Sequence, residues 1–146
     1  MRTRATVLLV RHHTVLLVRE RGGPWLLPGG TIGHDELAIV AAIRALFDDT
    51  GVEASAAALL FQQVSAHHLH HVFRVAIPDD VHPQPAMGGR VDEVVWLEPS
   101  QLAHVSTTPG TRAILNRALA LGSDVRVTRS AWSRDESSSE TSKRWR

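Results

Sequence analysis

Between Leu26 and Ala54 the chain reads LLPGGTIGHDELAIVAAIRALFDDTGVEA, and this segment restricts the fold more than any other. Gly29 and Gly30 are expected to form a turn. No glycine or proline then interrupts the run from about Glu36 to Asp49, and Gly51 stands where a helix stop belongs. One loop therefore feeds one long helix. At 100° per residue, Ile39, Val40, Ile43, Leu46 and Phe47 share a face that is expected to meet a sheet. Ala38, Ala41, Ala45, Asp48 and Asp49 share the other, so both carboxylates are expected to leave the helix away from the core. The small alanines beside them would let another group approach the backbone.

The flanking sequence supplies strands. ATVLLV (5–10) and TVLLVR (14–19) are β-branched runs separated by a short polar break, and LLFQQVSAHHLHHVFRVAI (59–77) reads as a strand pair with a break near Ser65. PDDVHPQPAMGG (78–89) is a proline-rich loop, and VDEVVWLEP is a further strand. Thr108 followed by Pro109 matches an N-cap with proline at the first helical position, and the helix runs to a stop at Gly122. Strands and helices interleave without regular β-α alternation, which favours an α/β fold with a mixed sheet flanked by helices. Residues 1–122 form one expected domain. Residues 123–146 are polar and serine-rich, too poor in apolar surface to order themselves, and are expected to be a flexible tail.

Composition removes several functional classes. The 146 residues contain no cysteine, so disulfides, thiol catalysis and cysteine-bound zinc are excluded. A net charge of +1 gives no strong pull toward nucleic acid. The apolar run near the N-terminus, Val7 to Val10, is too short for a membrane span or a secretory segment. The expectation is a cytoplasmic protein with a small-molecule partner and neither nucleic acid nor membrane. A homodimer stays open.

Two adjacent carboxylates, Asp48 and Asp49, beside carbonyls of Gly29 and Gly30 would make a hard-oxygen site suited to Mg²⁺ or Mn²⁺. The same features also read as a solvated helix end and an ordinary turn. Spacing adds to the first reading. The segment resembles the Nudix box, whose pattern is Gly, five residues, Glu, seven residues, then Arg-Glu-aliphatic-any-Glu-Glu-any-Gly-aliphatic. Gly30, Glu36, Arg44, Leu46, Gly51 and Val52 match without a gap, Asp48 and Asp49 replace the Glu pair, and Ala45 replaces the Glu after Arg. The flanks are similar to the family from roughly residue 5 to 121.

The resemblance implies a Nudix-like α/β/α sandwich with a mixed sheet. It also implies hydrolysis of a nucleoside diphosphate linked to another group, by water attack on phosphorus assisted by Mg²⁺ or Mn²⁺. Asp48 and Asp49 would be metal ligands with a carbonyl of Gly29 or Gly30, while Glu36 and Arg44 would brace the loop against the helix. Asp92 or Glu93 would supply an outer carboxylate. The missing Glu at Ala45 matters most, because family members use it as ligand or base, and a positioned base adds about 10²–10⁴-fold. Each Asp also reaches about 1.5 Å less far than Glu, and catalytic geometry tolerates such displacement poorly.

Two readings follow. One is a pyrophosphohydrolase with weakened catalysis, whose base would be Asp48, Asp49, Glu93 or a histidine. The other is a catalytically impaired module that binds a nucleotide-like ligand. On the substrate side, Arg19 and Arg21 could meet phosphates or simply confer solubility. Trp25 could stack on a base or pack in the core. His68 and His70 share one strand face with Val72 and Arg74, while His67 and His71 share the other, so the four cannot converge on one metal without a bulge. His68 or His70 could instead contact a phosphate.

Overall fold

The computed structural model describes residues 1–121; the tail expected over 123–146 lies outside them. The chain order is β1 (Arg2–Arg11), β2 (Thr14–Arg19), β3 (Gly29–Thr31), α1 (Ala38–Thr50), β4 (Ala56–Val64), β5 (His68–Ala76), β6 (Glu93–Leu97), a 3-10 turn (Pro99–His104) and α2 (Pro109–Ala120). The β1–β2 hairpin turns through His12 and His13, both with positive φ, which matches the twist of the strands it joins. Thr108 caps α2 by accepting the Thr111 N–H, and Pro109 occupies the first helical position, where no backbone donor is needed.

The strands form one sheet in the order β4-β5-β1-β2-β6, with β3 pairing to β1. β1 and β5 run parallel while the other pairs are antiparallel, so the sheet is mixed. Alternation along β1 divides the core. Ala5, Val7 and Leu9 face α1 with Phe73 and Val75, and pack on Ala41, Ala42 and Leu46. Leu8 points the opposite way with Leu17 and Val72, toward Ile114 and Leu115 of α2. The result is helix, sheet and helix in three layers. No helix among the described residues is long and apolar enough to cross a membrane.

The face of α1 that meets the sheet differs from the expectation. Ala41, Ala42, Ala45, Leu46, Asp49 and Thr50 are buried, while Ile39, Val40, Ile43 and Phe47 are 36%, 47%, 37% and 48% exposed. Close approach explains the inversion. A Cβ placed on Gly30 would lie 3.4 Å from the Ala45 methyl, so helix and strand meet at a distance that only small side chains permit. Hydrophobic bulk on a wheel ranks faces by transfer free energy. Here the available gap decides. Asp49 consequently sits at the sheet, 3% exposed, instead of pointing away from the core.

Candidate functional site

A cleft of about 270 Å³ opens where β3 meets the last turns of α1, lined by Arg4, Gly29, Gly30, Thr31, Arg44, Ala45, Asp48, Asp49 and Arg90. Its floor is the β1–β3 ladder, in which Ala5 pairs with Gly30 and Thr6 with Gly29. A Cβ on Gly29 would fall 2.5 Å from the Ala5 carbonyl oxygen, so no side chain fits there. The Gly29 N–H donates to Asp49 Oδ2 at 3.4 Å, joining the glycine strand to the helix.

Glu36 and Arg44 form a second join. Arg44 donates through Nε to Glu36 Oε2 at 2.8 Å and through Nη2 to Glu36 Oε1 at 3.0 Å, while the Gly33 N–H donates to the same Oε1 at 2.8 Å. Arg44 Nη2 also reaches the Thr31 carbonyl at 3.0 Å. One two-pronged ion pair thus ties both ends of the loop to the helix. The Arg44 guanidinium and the Gly33 N–H lower the Glu36 carboxyl from 4.5 to about 2, and Glu36 in turn raises Arg44.

Three guanidinium groups converge on two aspartates. Arg44 Nη1 lies 3.4 Å from Asp48 Oδ2. Arg90 Nη2 donates to the Gly29 carbonyl at 2.8 Å and stands 3.7 Å from Asp49 Oδ1, while its Nη1 pairs with Glu20 Oε2 at 2.9 Å. Among the described residues, Arg4 Nη2 is buried with no hydrogen-bond partner. Burial and the neighbouring Arg90 charge lower the Arg4 pKa, against opposing pulls from Asp49 and Glu20. Burial also raises the Asp49 carboxyl, a shift opposed by Arg90, the Gly29 N–H and Arg4.

These donors do not fit a divalent metal centre. Mg²⁺ needs several oxygens at about 2.1 Å in near-octahedral order. The Gly29 carbonyl already accepts from Arg90, Asp49 Oδ1 faces the same guanidinium, and position 45 carries a methyl group. Among the described residues no three His, Cys, Asp or Glu side chains are grouped to hold a metal.

The remaining sequence candidates lie outside the residues lining this cleft. Glu93 is spent on Arg19, directly opposite it in the β2–β6 ladder, and the Asp92 N–H donates to the Arg19 carbonyl at 3.0 Å. The Glu93 carboxylate is thus committed to Arg19, while Asp92 is exposed and outside the cleft lining. The Arg19 guanidinium lies 4.5 Å from the Trp25 ring centroid. Trp25, partly buried, packs against the α2-side core and pairs its backbone with Ser106 and Thr108. Arg21 is exposed in the turn after β2.

The two histidines part company as well. His70 is buried, with Nδ1 at 2.9 Å from Thr6 Oγ1 and Nε2 at 3.0 Å from Ser65 Oγ, and burial lowers its pKa to about 4, helped by the charges of Arg4 and His68. It is a neutral strut under α2. His68 lines a separate cavity with Met1, Arg2, Ala66 and His67.

Sequence reasoning missed Arg4 and Arg90. Arg4 belongs to a strand whose alternation marks only its apolar partners. Arg90 follows Gly88 and Gly89, and that glycine pair beside a charge was the one local signal available.

A charged cleft between a glycine strand and a helix end, set in an α/β/α sandwich, is the class of protein that fold and site define. Residues 1–118 match the model of the NUDIX domain, and the chain belongs to the Nudix family. Hydrolysis of phosphoanhydride-type bonds, generally with divalent metals, is the chemistry of that family.

Solved structures agree on the fold. A nudix hydrolase family member from Chromobacterium violaceum superposes with a TM-score of 0.75 at 23% identity, over 88% of each chain. The M. smegmatis Nudix hydrolase RenU gives 0.65 at 20% identity, over 85% of this chain and 87% of that one. The MutT NUDIX hydrolase of Burkholderia pseudomallei gives 0.61 at 21% identity, over 79% and 95%. No curated protein matches the chain.

Proposed function

We propose that this Nudix-family chain binds a nucleotide-like small molecule by its phosphates in the Gly29–Asp49 cleft, and that its hydrolysis of a nucleoside diphosphate linked to another group is weakened to a residual activity. The observation that carries this reading is the buried Nη2 of Arg4, without a partner among the described residues, beside the guanidinium groups of Arg44 and Arg90. An unsatisfied buried donor is costly, and a phosphate oxygen would satisfy it through a charge-assisted bond. Arg44 and Arg90 add charge without closing the cleft. Ala45 supports the weakened turnover, because it leaves neither a base nor a ligand where the family carries a carboxylate. A free small molecule, and not a nucleic acid, suits a cleft of about 270 Å³. A cytoplasmic setting goes with this reading.

The test is calorimetric binding of a panel of nucleoside diphosphates linked to other groups, together with release of nucleoside monophosphate in Mg²⁺ or Mn²⁺. Ala45→Glu is run beside the unsubstituted protein. The expected result is binding by both and a rise in release for Ala45→Glu. Binding with release at background in both proteins would remove the enzymatic half of the reading. Absence of binding across the panel would remove the whole.

A further inference from the structure

We infer that Arg90 is the resident cation of the cleft: its guanidinium stands at the oxygens a divalent ion would need and competes with such an ion for them. The inference rests on the phosphate-binding reading only for the anion that this cation would help to hold.

Arg90 is fixed at three points, the Gly29 carbonyl, Asp49 Oδ1 and Glu20 Oε2. Glu20 holds one prong of the fork so that the other is aimed inward, which a planar guanidinium allows and a lysine would not. The preceding loop is built to deliver it. Gly88 turns with φ +77°, and the Gly89 N–H donates back to the Ala86 carbonyl at 3.1 Å. The Ala86 N–H donates to the Asp49 backbone carbonyl at 3.1 Å, and a Cβ on Gly89 would lie only 3.2 Å from the Asp48 carbonyl oxygen. The loop is therefore seated on the last turn of α1, where free carbonyls need donors.

Charge acts in the same direction. A divalent ion bound to Asp49 and the Gly29 carbonyl would share those oxygens with Arg90 and lie near Arg4, so like charges would oppose it. It would also have to displace a hydrogen bond already made. A monovalent, delocalised cation meets the same two oxygens at 2.8 and 3.7 Å with less repulsion from Arg4 than a divalent ion would face. It leaves its remaining surface to an anion.

The test uses the full chain and Mn²⁺ alone, with free Mn²⁺ followed by electron paramagnetic resonance. Arg90→Met is expected to bind Mn²⁺ at least about tenfold more tightly than the unsubstituted protein. Adding Asp49→Asn to Arg90→Met should abolish the gain, which locates the ion. Equal Mn²⁺ affinity in the unsubstituted protein and Arg90→Met, whether tight or absent, overturns the inference. A second measurement needs no variant. Substoichiometric Mn²⁺ should leave the Gly29 and Gly30 amide resonances of the unsubstituted protein unbroadened, and selective broadening there also overturns it. Nucleotide plays no part in either experiment, so their outcome is separable from failure of the phosphate-binding reading.

Discussion

The Ala45 methyl group stands against Gly30, so close that a Cβ on the glycine would lie 3.4 Å from it. This contact sets the distance between α1 and the sheet, and it gives the helix an inner face of small residues around Leu46, with Ile39, Val40, Ile43 and Phe47 partly exposed.

Stability should follow that inversion. Ala42 is fully buried, so Ala42→Leu overpacks the interface and should cost about 1–3 kcal/mol. Phe47 is 48% exposed, and Phe47→Ala should cost about 1 kcal/mol, despite the larger side chain removed. Denaturant unfolding of both variants checks the order.

The brace between Glu36 and Arg44 should carry a pH signature. The Glu36 pKa is depressed from 4.5 to about 2, so its stabilisation is present above the ordinary value and is lost as pH falls through about 2. Glu36→Gln should lower the melting temperature at pH 7, with the difference from the unsubstituted protein closing between pH 4.5 and 2. Thermal unfolding across that range measures it.

Asp49 should behave in the opposite sense. Its carboxyl is raised by burial, so the folded state favours the protonated form. Stability from this group is fully present below the ordinary carboxylate range and is lost as pH rises through the raised folded value. Asp49→Asn should therefore raise the melting temperature at pH 7, an advantage that disappears on acidification. A melting temperature unchanged or lowered at pH 7 would contradict the assignment.

Residues outside the cleft serve as controls. Arg19→Met breaks the pair with Glu93 and the contact with Trp25. It should leave ligand affinity within about twofold, because exposed pairs contribute only about 0–1 kcal/mol even to folding. Calorimetry with the same nucleotide panel checks this.

Local signals made much of the fold legible. Gly51 as a helix stop, Thr108–Pro109 as a helix start and the break at Ser65 each depend on a few adjacent residues, and all three fall where the elements end or begin. The mixed sheet was legible from irregular interleaving of strands and helices. The inner face of α1 was not, because side-chain hydrophobicity does not encode the separation that Gly30 and Ala45 permit. In the site, the brace between Glu36 and Arg44 was legible through the resemblance to the Nudix box, whose pattern both residues match. Arg4 and Arg90 come from opposite ends of the domain and meet only through the β1–β3 pairing and the loop seated on α1. The partner of Glu93 was not legible either, because the pairing of β6 with β2, which sets it opposite Arg19, is a long-range register.

Arg4 provides the most direct test of phosphate binding, since its partly buried guanidinium has a donor with no partner among the described residues. Charge-assisted hydrogen bonds contribute about 1.5–3 kcal/mol, so Arg4→Met should weaken ADP binding, measured by calorimetry, by about tenfold or more. The same substitution should leave the melting temperature of the unliganded protein unchanged or higher. Equal ADP affinity in the two proteins, or no binding by either, would contradict the account.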